Sequence, residues 1–543
     1  MAWIGTPCPW PAIGPARSVV ADAGSEESIR LIRSWILDCS TKHKECTSPS
    51  QALLPDRVLD VREGKSPSLY INRGNDHGTY AALSHSWGGN VTLTLTDSNI
   101  AQLQKGVALE LFPRTFRHAI EVCRSLDISY LWIDSLCIIQ TSKADWDVQG
   151  SKMAEVYSRC FCVIAADGAQ NCAEGFLRSP RRNLKSMKIP CPATTVDPAG
   201  SLTDIFVYAR ERGYGNRDVF DHHVWEADPR SKLSTRGWVL QESILAPRLL
   251  HFTAEETTWE CKTTSRCECQ VRRHHHRYEI PLRQRLRAQP NHNTDWPYLV
   301  QEFSCRDLTY PSDRLPAISG LASWVQPPPS DVTYYAGLWS DSLPQTLFWF
   351  CISHNPDLPV VPRPSRRVDP PCAPTWSWAS ITGRVVMPSE PLDKPNLRDI
   401  QVFCPPSGPN KYGGVSNGWL RASAYILRGK LTLSTNPQLS TMFTITVKPH
   451  TGAKRDPVTA SGGMFLDVIG GNDAEIQDGE DVVIISSDEE DGGRRGRGTY
   501  LVLKSNIHLK TGRSTYRRVG CYISKCEGLS DPDLGCRQVI TIV

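Results

Sequence analysis

Between Tyr80 and Ala166 three short apolar runs alternate with two stretches of helical periodicity, and this alternation limits the fold more than any other feature. "YAALSHSW" (Tyr80–Trp87) reads as a buried strand that ends in polar residues and then Gly88-Gly89. Pro113 opens a helix, where its missing N–H costs nothing, and Phe116, Ala119, Ile120, Cys123 and Leu126 recur at helical spacing. Ser129–Asp134 is the next strand. A second helix runs from about Asp145 to Tyr157, with Trp146, Met153 and Tyr157 on its apolar side, and "FCVIAA" (Phe161–Ala166) is the third strand. Strand, helix, strand, helix, strand implies parallel strands joined by right-handed crossovers.

In such a sheet the C-terminal strand ends lie on one edge, and ligands bind there. That explains "YLWIDSLCIIQ" (Tyr130–Gln140), an apolar run interrupted by Asp134 and Ser135. Leu131–Ile133 is the buried strand, and the carboxylate marks its end rather than a damaged core. Ser84, His85, Ser86 and Asp167 are expected on the same edge. Downstream, "STRGWVLQESILAPRLLHF" (Ser234–Phe252) predicts a helix from about Gly237 to Leu245, stopped by Pro247, and then a strand, Arg248–Phe252.

A chain of 543 residues has room for roughly three to four domains. The net charge of +4, from 61 basic and 57 acidic residues, is too balanced to point to a nucleic-acid partner. The basic cluster "RRHHHR" (Arg272–Arg277) reads as a solvated loop. No apolar run is long enough to span a membrane, and the first residues lack the pattern of a secretory signal. The nineteen cysteines are therefore expected to be mostly reduced, in a cytoplasmic protein with the nucleus as the alternative. The expected organisation is an N-terminal tail and helix over 1–75, an α/β domain over 76–260 with an insertion at about 180–230, a mixed region over 261–385, and a β-rich region over 386–543. Within the last, 470–498 is acidic and then Gly/Arg-rich, and is expected to be flexible.

The N-terminal helix is expected from Glu26 to about His43, with Ile29, Ile32, Ile36 and Leu37 on or near one face. Cys39, His43 and Cys46 follow Trp35 at helical spacing, and Cys261, Cys267 and Cys269 form a second group. Each offers three ligands where a closed zinc site needs four, so both are read as small buried side chains and no metal is assigned.

Three blocks together resemble the fungal heterokaryon-incompatibility (HET) domain: "YAALSHSWGG", "LWIDSLCIIQ" followed by "DWDVQGSKMAEVYSR", and "TRGWVLQESILAPRLLHF". Gln149 stands where that family often carries an acidic residue. The resemblance implies a role in self/non-self recognition and incompatibility cell death. The HET domain is in turn distantly similar to the TIR domain, a flavodoxin-like fold some of whose members hydrolyse NAD. In TIR enzymes the catalytic glutamate lies four residues after a tryptophan on a helix after the third strand, and "GWVLQES" offers Trp238 and then Glu242.

That likeness makes NAD a candidate substrate. Glu242 would stabilise an oxocarbenium-like state, with Asp134 or His85 assisting. Trp238 would be an apolar wall, Ser84 would join the pocket, and Arg236 near the helix start would bind the diphosphate. The structural alternative has Trp238 in the core and Glu242 paired with Arg236 or Arg248. A cysteine hydrolase using Cys137 and His85 fits poorly, because Cys137 lies in an apolar run. As a second class, the chain is a non-catalytic signalling protein whose α/β domain self-associates. Outside that domain, "DVVIISSDEED" (Asp481–Asp491) resembles a SUMO-interacting motif, with Val482, Val483, Ile484 and Ile485 adding as a strand to SUMO; the alternative is an ordinary strand of the β-rich region.

Overall fold

The computed structural model describes residues 19–46, 51–89, 93–178, 231–269, 290–326, 331–352, 365–388, 395–433, 442–449, 457–467, 479–487, 498–507, 514–524 and 534–543, with a few isolated positions and short strands between them. The "RRHHHR" cluster and most of 470–498 lie outside the described residues. Contacts divide the chain into two parts, Met1–Ala288 and Gln289–Val543.

The first part opens with helix α1 (Glu26–Lys42), capped by the Ser25 hydroxyl accepting from the Ser28 N–H, with Glu26 and Glu27 in the first turn. Its buried face is Ser28, Leu31, Ile32, Trp35 and Cys39. Leu37, expected near that face, is instead 63% exposed. Leu31 takes the inward place because the stripe follows i, i+4, i+8 from Leu31 through Trp35 to Cys39.

Strands β1 (Arg57–Asp60) and β2 (Ser68–Ile71) come next, followed by β3 (Tyr80–Ser84), α2 (Arg114–Ser125) and β4 (Tyr130–Trp132). Then follow α3 (Lys143–Arg159), β5 (Cys162–Ala165), α4 (Gly237–Leu245), β6 (Arg248–Phe252), β7 (Thr257–Cys261) and β8 (Ser265–Cys267). They build one eight-stranded sheet in the order β8-β7-β6-β5-β3-β4-β1-β2. Its centre, β6-β5-β3-β4, is parallel, as the alternation of the sequence requires. Antiparallel strands extend both sides.

Strand side chains alternate between the two faces. Ala81, Leu83, Leu131, Ile133, Cys162, Ile164, Leu250 and Phe252 pack with Leu31, Ile32 and Trp35 of α1 and Phe116, Ala119 and Ile120 of α2. Tyr80, Ala82, Trp132, Val163, Ala165 and Leu249 pack with Met153, Val156 and Tyr157 of α3 and Val239 of α4. The sheet is thus covered on both faces. Each large apolar side chain so buried contributes roughly 1.5–3 kcal/mol.

The second part contains helices α5 (Trp296–Ser304) and α6 (Pro316–Val325) and a β-rich region. The latter comprises β9 (Arg398–Phe403), β10 (Trp419–Leu433), β11 (Met442–Val447), β12 (Val458–Leu466), β13 (Asp481–Ser486), β14 (Gly498–Ile507), β15 (Ser514–Ser524) and β16 (Gly535–Ile542). Pairing runs β10-β11-β12-β15-β14-β13 and returns from β13 to β10, so the ring closes. Closure leaves no edge among these six strands. Arg518 of β15 pairs with Asp467, just after β12, at 3.0 Å, the two side chains being 1% and 0% exposed. The Arg518 guanidinium also lies 3.4 Å from the Trp349 ring centre.

The SUMO-interacting reading of Val482–Ile485 is corrected here. These residues are the middle of β13, 3%, 3%, 0% and 0% exposed, with β10 on one edge and β14 on the other. A strand paired on both sides has no free backbone groups for a partner sheet. Among the described residues no helix is long and apolar enough to cross a membrane.

Candidate functional site

The site residues collect where β3, β4 and β5 end and α4 begins. β5 connects onward to β6 on one side of it, whereas β3 connects to β4 on the other, so the sheet order reverses between β3 and β5. Loops that diverge at such a point leave a crevice at the C-terminal strand ends.

Ser84 is the last residue of β3, and His85 and Ser86 follow it; all three are buried. Beyond Trp87 the chain turns on Gly88 and Gly89, with φ of +74° and +94°. A side chain at Gly88 would place its Cβ 2.0 Å from the Asn171 Cβ, so the loops after β3 and β5 meet with nothing between them.

Asp134 follows β4 and starts a single helical turn, Asp134–Cys137. One carboxylate oxygen accepts from the Ser135 N–H at 2.7 Å, and the other accepts from the Trp87 indole N–H at 2.9 Å. Trp87 therefore ties the loop after β3 to the end of β4. The His85 Nδ1 stands 3.9 Å from the Asp134 carboxylate, and the imidazole meets the Phe116 ring edge-on at 5.0 Å. Burial pushes His85 down to about 4, against the pull of the Asp134 charge and with the Arg236 charge adding to it. His85 is thus a neutral imidazole at pH 7.

Arg236 caps the start of α4 and donates to the His85 carbonyl oxygen. On the same helix Glu242, 4% exposed, accepts a hydrogen bond from the Ser84 hydroxyl. Burial raises its carboxyl to about 7, opposed by the Arg236 charge and by hydrogen bonds from Ser84 and Tyr157, while the Asp134 charge adds to the rise. Near neutral pH this group is divided between acid and carboxylate.

The structure therefore brings His85, Asp134, Glu242, Ser84 and Arg236 to one edge. Glu242 does not pair with Arg248, whose guanidinium turns to the Phe161 and Cys46 carbonyls. Trp238 is half-buried and meets Trp146 of α3 edge-on at 6.0 Å, a packing role within the helical layer. Cys137 is 1% exposed, and burial pushes its thiol up to about 12, which removes it as a nucleophile. Gln149 is buried and donates to Asp56 at 2.8 Å.

Three contributors were not named from the sequence as site residues. Trp87 clamps Asp134, Tyr157 reaches Glu242 from α3, and His251 of β6 holds Asp167 at 2.7 Å. Burial opposes protonation of His251, but the Asp167 charge and hydrogen bond outweigh it and raise the imidazole above its usual range. The sequence signal for His251 was its place at the end of the "RLLHF" strand, level with Ala165 on β5.

His85 Nδ1 and Nε2, Ser86 Oγ and Ser135 Oγ are buried and make no hydrogen bond among the described residues. An unmet buried polar group costs about 1–3 kcal/mol, so these atoms weigh against stability at this edge.

Residues 80–242 match the family model described as Heterokaryon incompatibility protein (HET). The chain carries a HET domain. The match begins at the first residue of β3 and ends at Glu242, so the HET domain spans the elements that assemble this edge. No curated protein and no solved structure matches the chain.

Proposed function

We propose that this protein is an effector of fungal heterokaryon incompatibility, in which the HET domain converts a self/non-self mismatch into cell death. The HET match over residues 80–242 carries the reading. Raising expression of the full chain in a filamentous fungus should arrest growth and kill the cells. Normal growth with the protein present at that level would overturn it.

A second reading is favoured by one observation, the Glu242 carboxyl poised at about 7 beside Ser84, Tyr157 and Arg236. The order of the parallel strands, second-first-third-fourth, is that of a flavodoxin-like sheet and supports a TIR-like relationship. On this reading the domain cleaves NAD. The bond from the ribose to nicotinamide breaks, the Glu242 carboxylate stabilises the oxocarbenium-like state, and water adds to the ribose. Perturbed carboxyls of this kind gather at functional sites. The test is loss of NAD over time with the purified full chain, and its failure leaves the effector reading standing on the growth experiment.

A further inference from the structure

At the opposite edge of the sheet, where the parallel strands begin, four ligand-type side chains converge. Cys39 lies in the last turns of α1, His43 follows the helix, and Cys46 ends a short 3-10 turn, Lys44–Cys46. The fourth is Cys261, at the end of β7, paired across the ladder with Arg248, the first residue of β6. The sequence groups Cys261 with Cys267 and Cys269, but the fold regroups them: Cys261 joins the first three, and Cys267 and Cys269 stand with Glu256.

One ligand atom from each of Cys39, His43, Cys46 and Cys261 lies within 4.8 Å of all the others. The Cys261 Sγ is 3.4 Å from the His43 Nδ1. In a tetrahedral zinc site, bond lengths of about 2.3 Å to sulfur and about 2.0–2.1 Å to nitrogen place neighbouring ligand atoms roughly 3.5–3.8 Å apart. The four side chains are thus at nearly the spacing that a metal would impose. We propose that Cys39, His43, Cys46 and Cys261 bind one zinc ion in a closed, structural site that fastens α1 to β7.

The surroundings fit that assignment. The three cysteines are 0%, 2% and 2% exposed, and the histidine is half-buried at the rim. The Thr264 N–H donates to the Cys261 sulfur at 3.4 Å, and the Thr263 hydroxyl lies 3.4 Å from the Cys46 sulfur, contacts that stabilise a thiolate ligand. Three thiolates and a neutral imidazole around a divalent ion leave one negative charge. Arg248 is the counter-charge: it is buried, interacts with Cys39 and donates to the Cys46 carbonyl at 2.9 Å. Three sulfurs and one nitrogen in a tetrahedron select zinc among divalent ions, and four protein ligands leave no open position for catalysis.

The test is the metal content of the purified full chain, with cobalt substituted for zinc as the optical probe. About one zinc per chain is expected, with the absorption of tetrahedral sulfur-bound cobalt after exchange. Cys261→Ser and His43→Ala should each lower zinc retention at least tenfold in the presence of a chelator. Cys267→Ser should leave it unchanged. Should Cys261→Ser fail to fold, the rim position decides: His43→Cys should keep the metal and shift the cobalt spectrum toward four sulfurs. A folded chain without zinc that takes up no cobalt, a disulfide among the four residues, or zinc lost only in Cys267→Ser would overturn the proposal.

Discussion

Ser84, the last residue of β3, donates its hydroxyl proton to the carboxyl of Glu242 on α4, 158 residues further along the chain. This bond joins the first strand of the parallel series to the helix that follows the third. It also sits where an ionised Glu242 and a protonated His85 are both disfavoured by burial.

The two groups give opposite pH dependences. Glu242 is raised from 4.5 to about 7, so its stabilising protonated form is fully present below pH 4.5 and lost as pH rises through 7. His85 is lowered from 6.5 to about 4, so its contribution is present above pH 6.5 and lost as pH falls through 4. Each shift corresponds to about 3 kcal/mol. Glu242→Gln removes only the first of these two effects. Urea denaturation should show the variant gaining on the wild type by about 3 kcal/mol between pH 4 and pH 8. A gap that does not change with pH would show that Glu242 titrates normally.

If the edge turns over NAD, the active form is the carboxylate. The rate for the full chain should then rise with pH to a plateau, with a midpoint near the Glu242 value of about 7. Glu242→Gln should reduce NAD loss at least a hundredfold with an unchanged circular dichroism spectrum. Wild-type turnover in that variant would falsify the catalytic assignment.

Gly88→Ala asks an alanine to adopt φ +74° and to place its Cβ against Asn171. The expected cost is roughly 2–4 kcal/mol, with the loops after β3 and β5 forced apart. Gly89→Ala carries similar backbone strain but meets nothing within 4 Å, so it should cost less. Thermal melts of the two variants measure the difference; equal losses would mean the Asn171 contact yields without cost.

In the second part of the chain, Asp467→Asn leaves the Arg518 guanidinium buried without its charge partner. The loss should be about 3–5 kcal/mol. Replacing both residues by apolar ones of similar volume should restore much of it. A single variant as stable as the wild type would show that the Leu347 carbonyl, 2.5 Å from Arg518, and the Trp349 ring suffice.

Ile484→Ala should cost about 2–5 kcal/mol through the cavity it leaves beneath β13. The full chain should leave the groove resonances of SUMO unmoved on titration. Shifts in that groove would require β13 to leave the ring.

The parallel centre of the sheet was readable because its strands carry near-continuous apolar runs and its helices keep a clean period. The expected bounds Gly237–Leu245 and Arg248–Phe252 coincide with α4 and β6. β1 and β2 escaped notice since each has only four residues and carries polar or charged ends, Arg57 and Asp60 in one case and Ser68 in the other. Val482–Ile485 misled because a local motif cannot reveal which strands lie on either side of it. Cys261 was set beside the wrong cysteines for a similar reason: nearness along the chain says little when β7 reverses direction into β8.

The recognisable stretch and the self-supporting piece of this protein are different objects. Cutting the chain at residues 80 and 242 would keep β3, β4 and β5 and discard the other five strands of the sheet, together with α1. Leu83, Leu131 and Ile164, which pack in one cluster with Leu59, Leu250 and the α1 residues Leu31, Ile32 and Trp35, would then lose those neighbours to solvent. A fragment trimmed to the signature is therefore a test of aggregation rather than of activity.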